Sequence, residues 1–326
     1  MSRRRRLGVI GSFVWDEIHG RDPARAPVEE WGGITYALAA ADAALDDGWE
    51  IVPLVKVGAD LAPQARDYLR SLSRIAPDAT PIIVPQANNR VVLRYTSAER
   101  RTEQLRGGVP GWSWLGLKPL LADLDALYVN LISGFELDLE TAWMMRQHFA
   151  GPIYGDLHSL LLAVQPDGLR TPRTLPDAPA WLRCFDLLQV NEDEMRLLAP
   201  DPLALAATAM HQGVRCLTVT LGARGIVYVA APGFDEAPLA RATDPWRTAE
   251  LAPLRTALLM PAAHDVKTGD PTGCGDVWGA TYYSRLLVGD KFLNAIDAAS
   301  AAAARNVEHR GATGLATFLR GGLHPA

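Results

Sequence analysis

The chain has 326 residues, 48% apolar and 21% charged, with 28 Gly and 23 Pro, the make-up of an ordinary globular protein rather than a fibrous or disordered one. Thirty-two Lys and Arg against 37 Asp and Glu leave a formal charge of −5, which argues against nucleic acid as a partner. Cys184, Cys216 and Cys274 form no CxxC pair and leave one over, so neither a disulfide framework nor a Cys-based zinc site is expected, and a reducing cytoplasm is the simpler home.

The run Arg3-Arg4-Arg5-Arg6 precedes an apolar stretch, Leu7 to Trp15, that Asp16 and Glu17 cut short, so a solvated tail entering a first strand is expected rather than an export signal. No stretch approaches the roughly 18 apolar residues of a spanning helix, and no membrane partner is expected. Apolar runs rich in Val, Ile and Leu alternate with Ala-rich segments of helical period, the pattern of parallel strands joined by crossover helices. Strands are predicted at Leu7–Val14, Ile51–Val57, Pro81–Val84, Ala126–Leu131, Pro152–Asp156, Leu187–Val190, Cys216–Leu221 and Ile226–Ala230. Helices are predicted at Ile34–Leu45, Ala62–Ser71, Glu140–Phe149, Glu192–Ala199, Pro202–Gln212, Asp276–Leu287 and Leu293–Val307. Glu17 to Glu30 and Asn89 to Arg106 break the alternation and carry charge, as a small accessory sheet or two surface hairpins would. Pro166–Pro179 and Pro232–Pro253 read as irregular connections.

The densest chemical signal is Asp270-Pro271-Thr272-Gly273-Cys274-Gly275-Asp276, which runs straight into an amphipathic helix. Backbone amides at such a helix start point outward and stabilise anions, two glycines let a phosphate approach, and Asp276 places a carboxylate beside it. A Gly-rich turn with an acidic residue favouring the helix dipole is the structural alternative. Asn191 followed by Glu194 is a capping signature as well as a pair of polar ligands. Thr220, Gly222 and Gly225 fit a turn between two apolar strands. Asp16 follows an apolar strand where α/β sheets place ligand groups.

These segments, in this order, resemble the ribokinase-like family of carbohydrate and nucleoside kinases, also called the phosphofructokinase-B type. The family's DTxGAGD-like motif stands here as Asp270 to Asp276, with Pro271 and Cys274 as departures. Asn191-Glu192-Asp193-Glu194 is similar to its NxxE motif, and Thr218 to Gly225 to its strand and turn near the nucleotide phosphates. Gly11 to Asp16, Gly32-Gly33 and Val57-Gly58-Ala59-Asp60 match its sugar-side segments, and the likeness spans about residue 7 to residue 314.

The resemblance implies one three-layer α/β/α domain over residues 1–326, with a mostly parallel central sheet and a small β-sheet lid from about 17–30 and 89–106. It implies ATP-dependent phosphorylation of a hydroxyl on a sugar, sugar derivative or nucleoside. Asp276 is then the general base, and the amides of Gly273, Cys274 and Gly275 are the anion hole. Asn191, Glu194, Thr220, Gly222 and Gly225 would serve the nucleotide, with magnesium held by Glu194 through water. Asp16, Gly32, Gly33 and Asp270 would serve the acceptor. A monovalent cation and a homodimer contact through the lid are family features that nothing in the residues themselves requires. Where the family has Asn four positions after the second glycine, this chain has Ala37, preceded by Tyr36, so the usual ribose or fructose assignment is not transferred. Arg94, Arg100, Arg101 and Arg106 of the lid could meet an anionic substrate but are read as a solvated face, and His158, just after a strand, could reach the cleft, though local or surface roles are favoured for the histidines.

A Walker-type kinase needs GxxxxGK[ST], which is absent, and Gly8-Val9-Ile10-Gly11 lacks the third glycine of a dinucleotide fingerprint. The rival from another class is a sensor that keeps the pocket without catalysis. Retention of Asp276, both glycines, Asn191 and Glu194 argues against it.

Overall fold

The computed structural model describes residues 3–20, 26–95, 101–231, 233–234, 239, 255–259 and 269–321. In chain order the elements are β1 (Arg5–Ile10), β2 (Phe13–His19), β3 (Val28–Gly33), α1 (Ile34–Ala44), β4 (Trp49–Leu54), β5 (Lys56–Gly58), α2 (Ala62–Ser71), β6 (Ile82–Val84), β7 (Arg90–Tyr95) and β8 (Arg101–Arg106). There follow α3 (Trp114–Leu117), β9 (Ala126–Asn130), α4 (Leu139–His148), β10 (Ile153–Asp156), β11 (Leu162–Val164), β12 (Arg170–Pro172), α5 (Ala178–Leu182), β13 (Leu187–Asn191), α6 (Glu192–Leu198) and α7 (Pro202–His211). The chain ends with β14 (Cys216–Thr220), β15 (Ile226–Ala230), β16 (Arg255–Leu259), α8 (Cys274–Leu287), α9 (Phe292–Asn306) and α10 (Leu315–Leu319).

An eight-stranded sheet has the order β16-β15-β14-β13-β10-β9-β1-β4, parallel from β14 to β4 and antiparallel at β15 and β16. Alternation along the strands sends side chains to two cores. Leu7, Val9, Tyr128 and Tyr154 face a layer built from α1, α2, α8, α9 and α10, whereas Ile10, Leu127, Val129 and Ile153 face α3 to α7. Burial on both faces is why these strands read as continuous apolar runs. The predicted three-layer α/β architecture is thus present. No helix among the described residues is long and apolar enough to cross a membrane.

The accessory segments do build a separate sheet, of order β3-β2-β7-β8. The predicted strand Leu7–Val14 is in fact two. β1 lies in the main sheet and β2 in the small one, divided at Gly11-Ser12, where the Ser12 hydroxyl donates to Glu136 at 2.6 Å. Ile51–Val57 is likewise divided into β4 and β5, and Pro81–Val84 pairs with β5 outside the main sheet. Arg5 and Arg6 belong to β1 rather than to a free tail: Arg5 lies over the Trp49 ring at 4.5 Å, and Arg6 pairs with Glu50 at 2.6 Å. Part of the connection expected at Pro166–Pro179 is ordered as β12 and the start of α5. The connection Pro232–Pro253 falls almost wholly outside the described residues, as do Arg100, His264 and His324.

Candidate active site

Six strands run parallel, so their carboxyl ends share one edge, and the register sets polar residues along it. Asn130 of β9 stands opposite Asp156 of β10, Asp156 opposite Gln189 of β13, and Asn191 of β13 opposite Thr220 of β14. Ligands of open α/β sheets bind outside this edge.

α8 points its N-terminus at the same edge. The Asn130 side-chain amide donates to the Asp276 carboxylate at 2.6 Å, and Gln189 Nε2 donates to the Gly275 carbonyl at 3.1 Å and to Asp156 at 3.4 Å. The helix opens at Gly273, whose φ of +75° lies in the left-handed region; a Cβ there would stand 2.3 Å from the Tyr36 ring. Only glycine meets both conditions without strain. The Asp270 carboxylate accepts from the Thr272 amide at 2.9 Å and from its hydroxyl at 2.6 Å, while the Asn306 side chain donates to the Thr272 carbonyl at 2.8 Å. The Cys274 amide is already committed to the Pro271 carbonyl at 3.2 Å, whereas the Gly273 and Gly275 amides have no partner among the described residues. With the helix dipole behind them, these amides favour an anion. Burial pushes the Cys274 thiol up to about 11, so it stays a neutral small side chain at physiological pH.

A cleft of about 350 Å³ lies over this edge. Its lining includes Gly273, Cys274, Gly275 and Asp276 on one side, and Val14, Asp16, Val91, Leu93 and Glu103 of the small sheet on another. Asn191, Glu194, Thr220, Gly222 and Gly33 also border it. Gly32, Gly225 and Asp270 stand behind the lining. Gly32 lets the buried Asp16 come close, since a Cβ would sit 1.9 Å from Asp16 Oδ2. Gly225 closes the turn after β14 by accepting from Leu221 at 2.8 Å. Asp270 fixes the turn before α8, as described above.

Asn191 and Glu194 form a reciprocal capping box on α6: the Glu194 amide donates to Asn191 Oδ1 at 2.9 Å and the Asn191 amide to Glu194 Oε2 at 2.8 Å. The cap therefore uses one carboxylate oxygen and leaves Oε1 facing His158 Nδ1 at 3.4 Å. His158 carries a φ of +34°, rare for a residue with a side chain, and reaches the cleft rather than the outer surface. Burial works against its charge, but the Glu194 hydrogen bond and the charges of Glu194, Asp156 and Asp276 push it up to about 10. Burial, then the Glu194 charge, hold the Asp156 carboxyl well above the ordinary aspartate range.

Other expectations resolve as scaffold. Ala37 and Tyr36 are buried in the core under α8, with Tyr36 spent on Gly273. Asp60 accepts from the Asn88 amide at 2.8 Å and pairs with Arg90 at 3.1 Å, bracing the start of β7 without bordering the cleft. Arg94 and Arg106 are exposed, as read from the sequence. Asn130, Asp156, Gln189 and Arg170 were missed, and His158, placed just after a strand where it could reach the cleft, was given a local or surface role. The first three carry a legible signal, a polar residue ending an apolar strand; Arg170 lies in a stretch read as irregular and gave none.

A family model for pfkB family carbohydrate kinases matches residues 155–317. Among solved structures, a nucleoside kinase from Burkholderia thailandensis in complex with inosine is 17% identical, with a TM-score of 0.71 over 95% of this chain and 94% of that one. A ribokinase from Thermotoga maritima is 18% identical at a TM-score of 0.66, covering 95% of both chains. A ribokinase from Cryptococcus neoformans var. grubii serotype A in complex with ADP is 20% identical at a TM-score of 0.63, covering 96% of both. No curated protein matches the chain.

Proposed function

The chain belongs to the pfkB family of carbohydrate kinases, phosphotransferases with an alcohol acceptor, and from that premise we propose that it transfers the γ-phosphate of ATP to a hydroxyl of a sugar or sugar derivative. The observation that carries this reading is the meeting, in one cleft, of the Asp276 carboxylate, the glycine amides at the start of α8 and the buried Asp16. Asp276 takes the proton of the attacking hydroxyl, and Asn130 holds its carboxylate in place. The amides of Gly273 and Gly275, backed by the α8 dipole, stabilise charge developing on the transferred group; Cys274 contributes small size. Asp16, on the lid sheet, accepts from acceptor hydroxyls, and Gly32 makes room for it. Asn191, Glu194, Thr220 and Gly222 border the nucleotide side, and Gly225 sets the turn that Gly222 begins. The ADP complex of the Cryptococcus ribokinase supports ATP as donor.

Magnesium fits this donor set only through water. Both Glu194 oxygens already face a partner, and no cluster of three or more acidic, His or Cys side chains stands ready among the described residues. When bound, the ion neutralises phosphate charge. A sugar is favoured over a nucleoside because Tyr36, the cleft aromatic that would stack on a base, is 2% exposed and packed on Gly273. The test is transfer of labelled phosphate from ATP with magnesium to pooled sugars and pooled nucleosides, with Asp276→Asn in parallel. Transfer that the variant loses supports the reading, and transfer that it keeps overturns the role of Asp276.

A further inference from the structure

The cleft beside the small sheet has aliphatic walls, Val14, Val91, Leu93 and Ile132, and the guanidinium of Arg170 of β12 also borders it. Its side chain is 4% exposed. Nη1 donates to the Ser159 hydroxyl at 3.2 Å and Nη2 to the Ile132 carbonyl at 3.2 Å, both neutral acceptors. The ion pair with Glu103 of β8 is 3.5 Å long, and the Nε proton has no partner among the described residues. A guanidinium taken out of water is stabilised by charge-assisted bonds of about 2.7–2.9 Å to a carboxylate or phosphate, often in pairs. Among the described residues Arg170 has no bond that short to a carboxylate, although its surroundings are built to hold it there. The Leu105 amide donates to the Gly168 carbonyl at 2.8 Å and Gln104 Nε2 to the Asp167 carbonyl at 2.6 Å, so the β11–β12 hairpin is fastened to the small sheet beside the cleft.

We propose that the acceptor carries an acidic group, a carboxylate or a phosphate, that binds Arg170 while Asp16 takes its hydroxyls. Sugar acids or sugar phosphates are then the substrate class, and Glu103 is the carboxylate that neighbours Arg170 until the acceptor arrives. This inference rests on the kinase reading above and narrows it.

The test compares kcat/KM with ATP for three pools, neutral sugars, aldonic and uronic acids, and sugar monophosphates, in wild type, Arg170→Gln and Glu103→Gln. We expect at least about a tenfold preference for one acidic pool over the neutral one, and the pool preferred names the source of the anion. Arg170→Gln abolishes that preference with ATP affinity retained, and Glu103→Gln lowers KM for the acidic acceptor, a gain that a purely structural ion pair would not give. Preference for neutral sugars overturns the proposal and leaves the kinase standing, as does an equal loss on all pools in a folded Arg170→Gln. Should that variant not fold, Glu103→Gln decides: an unchanged or raised KM for acids overturns the proposal. No transfer to any pool overturns the kinase reading and this inference with it.

Discussion

Asn130 and Asp276, 146 positions apart in the chain, are joined by a 2.6 Å hydrogen bond that ties the end of a central strand to the first turn of α8. The bond holds one oxygen of Asp276 at the edge of the cleft that the residue borders. Asp276→Asn should lower kcat by about 10³-fold, the usual scale for losing a general base, with ATP affinity by calorimetry little changed. Asn130→Ala should lower kcat by about tenfold and move the acid limb of the pH–rate profile, because it alters the base without removing it. An acid limb that stays in place in Asn130→Ala would mean that the bond is scaffold only.

Glu194 allows its two roles to be separated. Glutamine occupies the same place in a capping box, so Glu194→Gln should keep the α6 cap and lose stability only through the weakened pairing with His158, a loss that should shrink as pH rises through about 10. The charge is lost, and the half-saturating magnesium concentration should rise about tenfold. An unchanged magnesium titration would reduce Glu194 to a cap.

Gly32→Ala pushes a Cβ into the space now held by Asp16 Oδ2. Displacing that carboxylate should cost roughly 10²-fold in kcat/KM for the acceptor while the KM for ATP holds. Equal losses for both substrates would show that Gly32 serves folding rather than the acceptor.

Gly273 and Gly275 should part company in stability. Gly273→Ala meets both a left-handed backbone and the Tyr36 ring and should cost about 2 kcal/mol in denaturant unfolding. At Gly275 the nearest atom to a new Cβ is Gln189 Nε2 at 3.7 Å, an ordinary contact, so Gly275→Ala should fold normally.

His158 gives a pH dependence of known sign. Its folded value, about 10, lies above the ordinary histidine value of 6.5, so the protein gains stability from its charge below pH 6.5 and loses that gain as pH rises through about 10. The raised Asp156 carboxyl works in the same direction, since ionising it in the fold is disfavoured as pH climbs. The difference in melting temperature between wild type and His158→Gln should therefore be largest near pH 6 and shrink by pH 10. Asp156→Asn should unfold at a higher temperature than wild type at pH 9. A wild type–His158→Gln difference that is flat across this range would remove the Glu194–His158 pair from the account.

Much of this was legible in the order of residues. Two-face burial makes the strands near-continuous apolar runs, and the Gly-rich turn before α8 announces a helix start with open amides. The division between β1 and β2 was not legible, because the apolar run passes through Gly11-Ser12 without a break and only the partner surfaces change. The reach of His158 into the cleft depends on a positive φ, which no neighbouring glycine or proline announces. Arg170 looked like part of a Pro-punctuated loop, since a three-residue strand carries too little periodicity to register.

The crossing at Gly11-Ser12 sets the two carboxylates on different sheets of the fold, Asp16 on the small one and Asp276 at the edge of the main one. An acceptor must therefore reach from one sheet to the other. Its length, measured from its anchored hydroxyls to its reacting one, then acts as a gauge: analogues shortened by a carbon should lose turnover as well as affinity, because they no longer bridge the two.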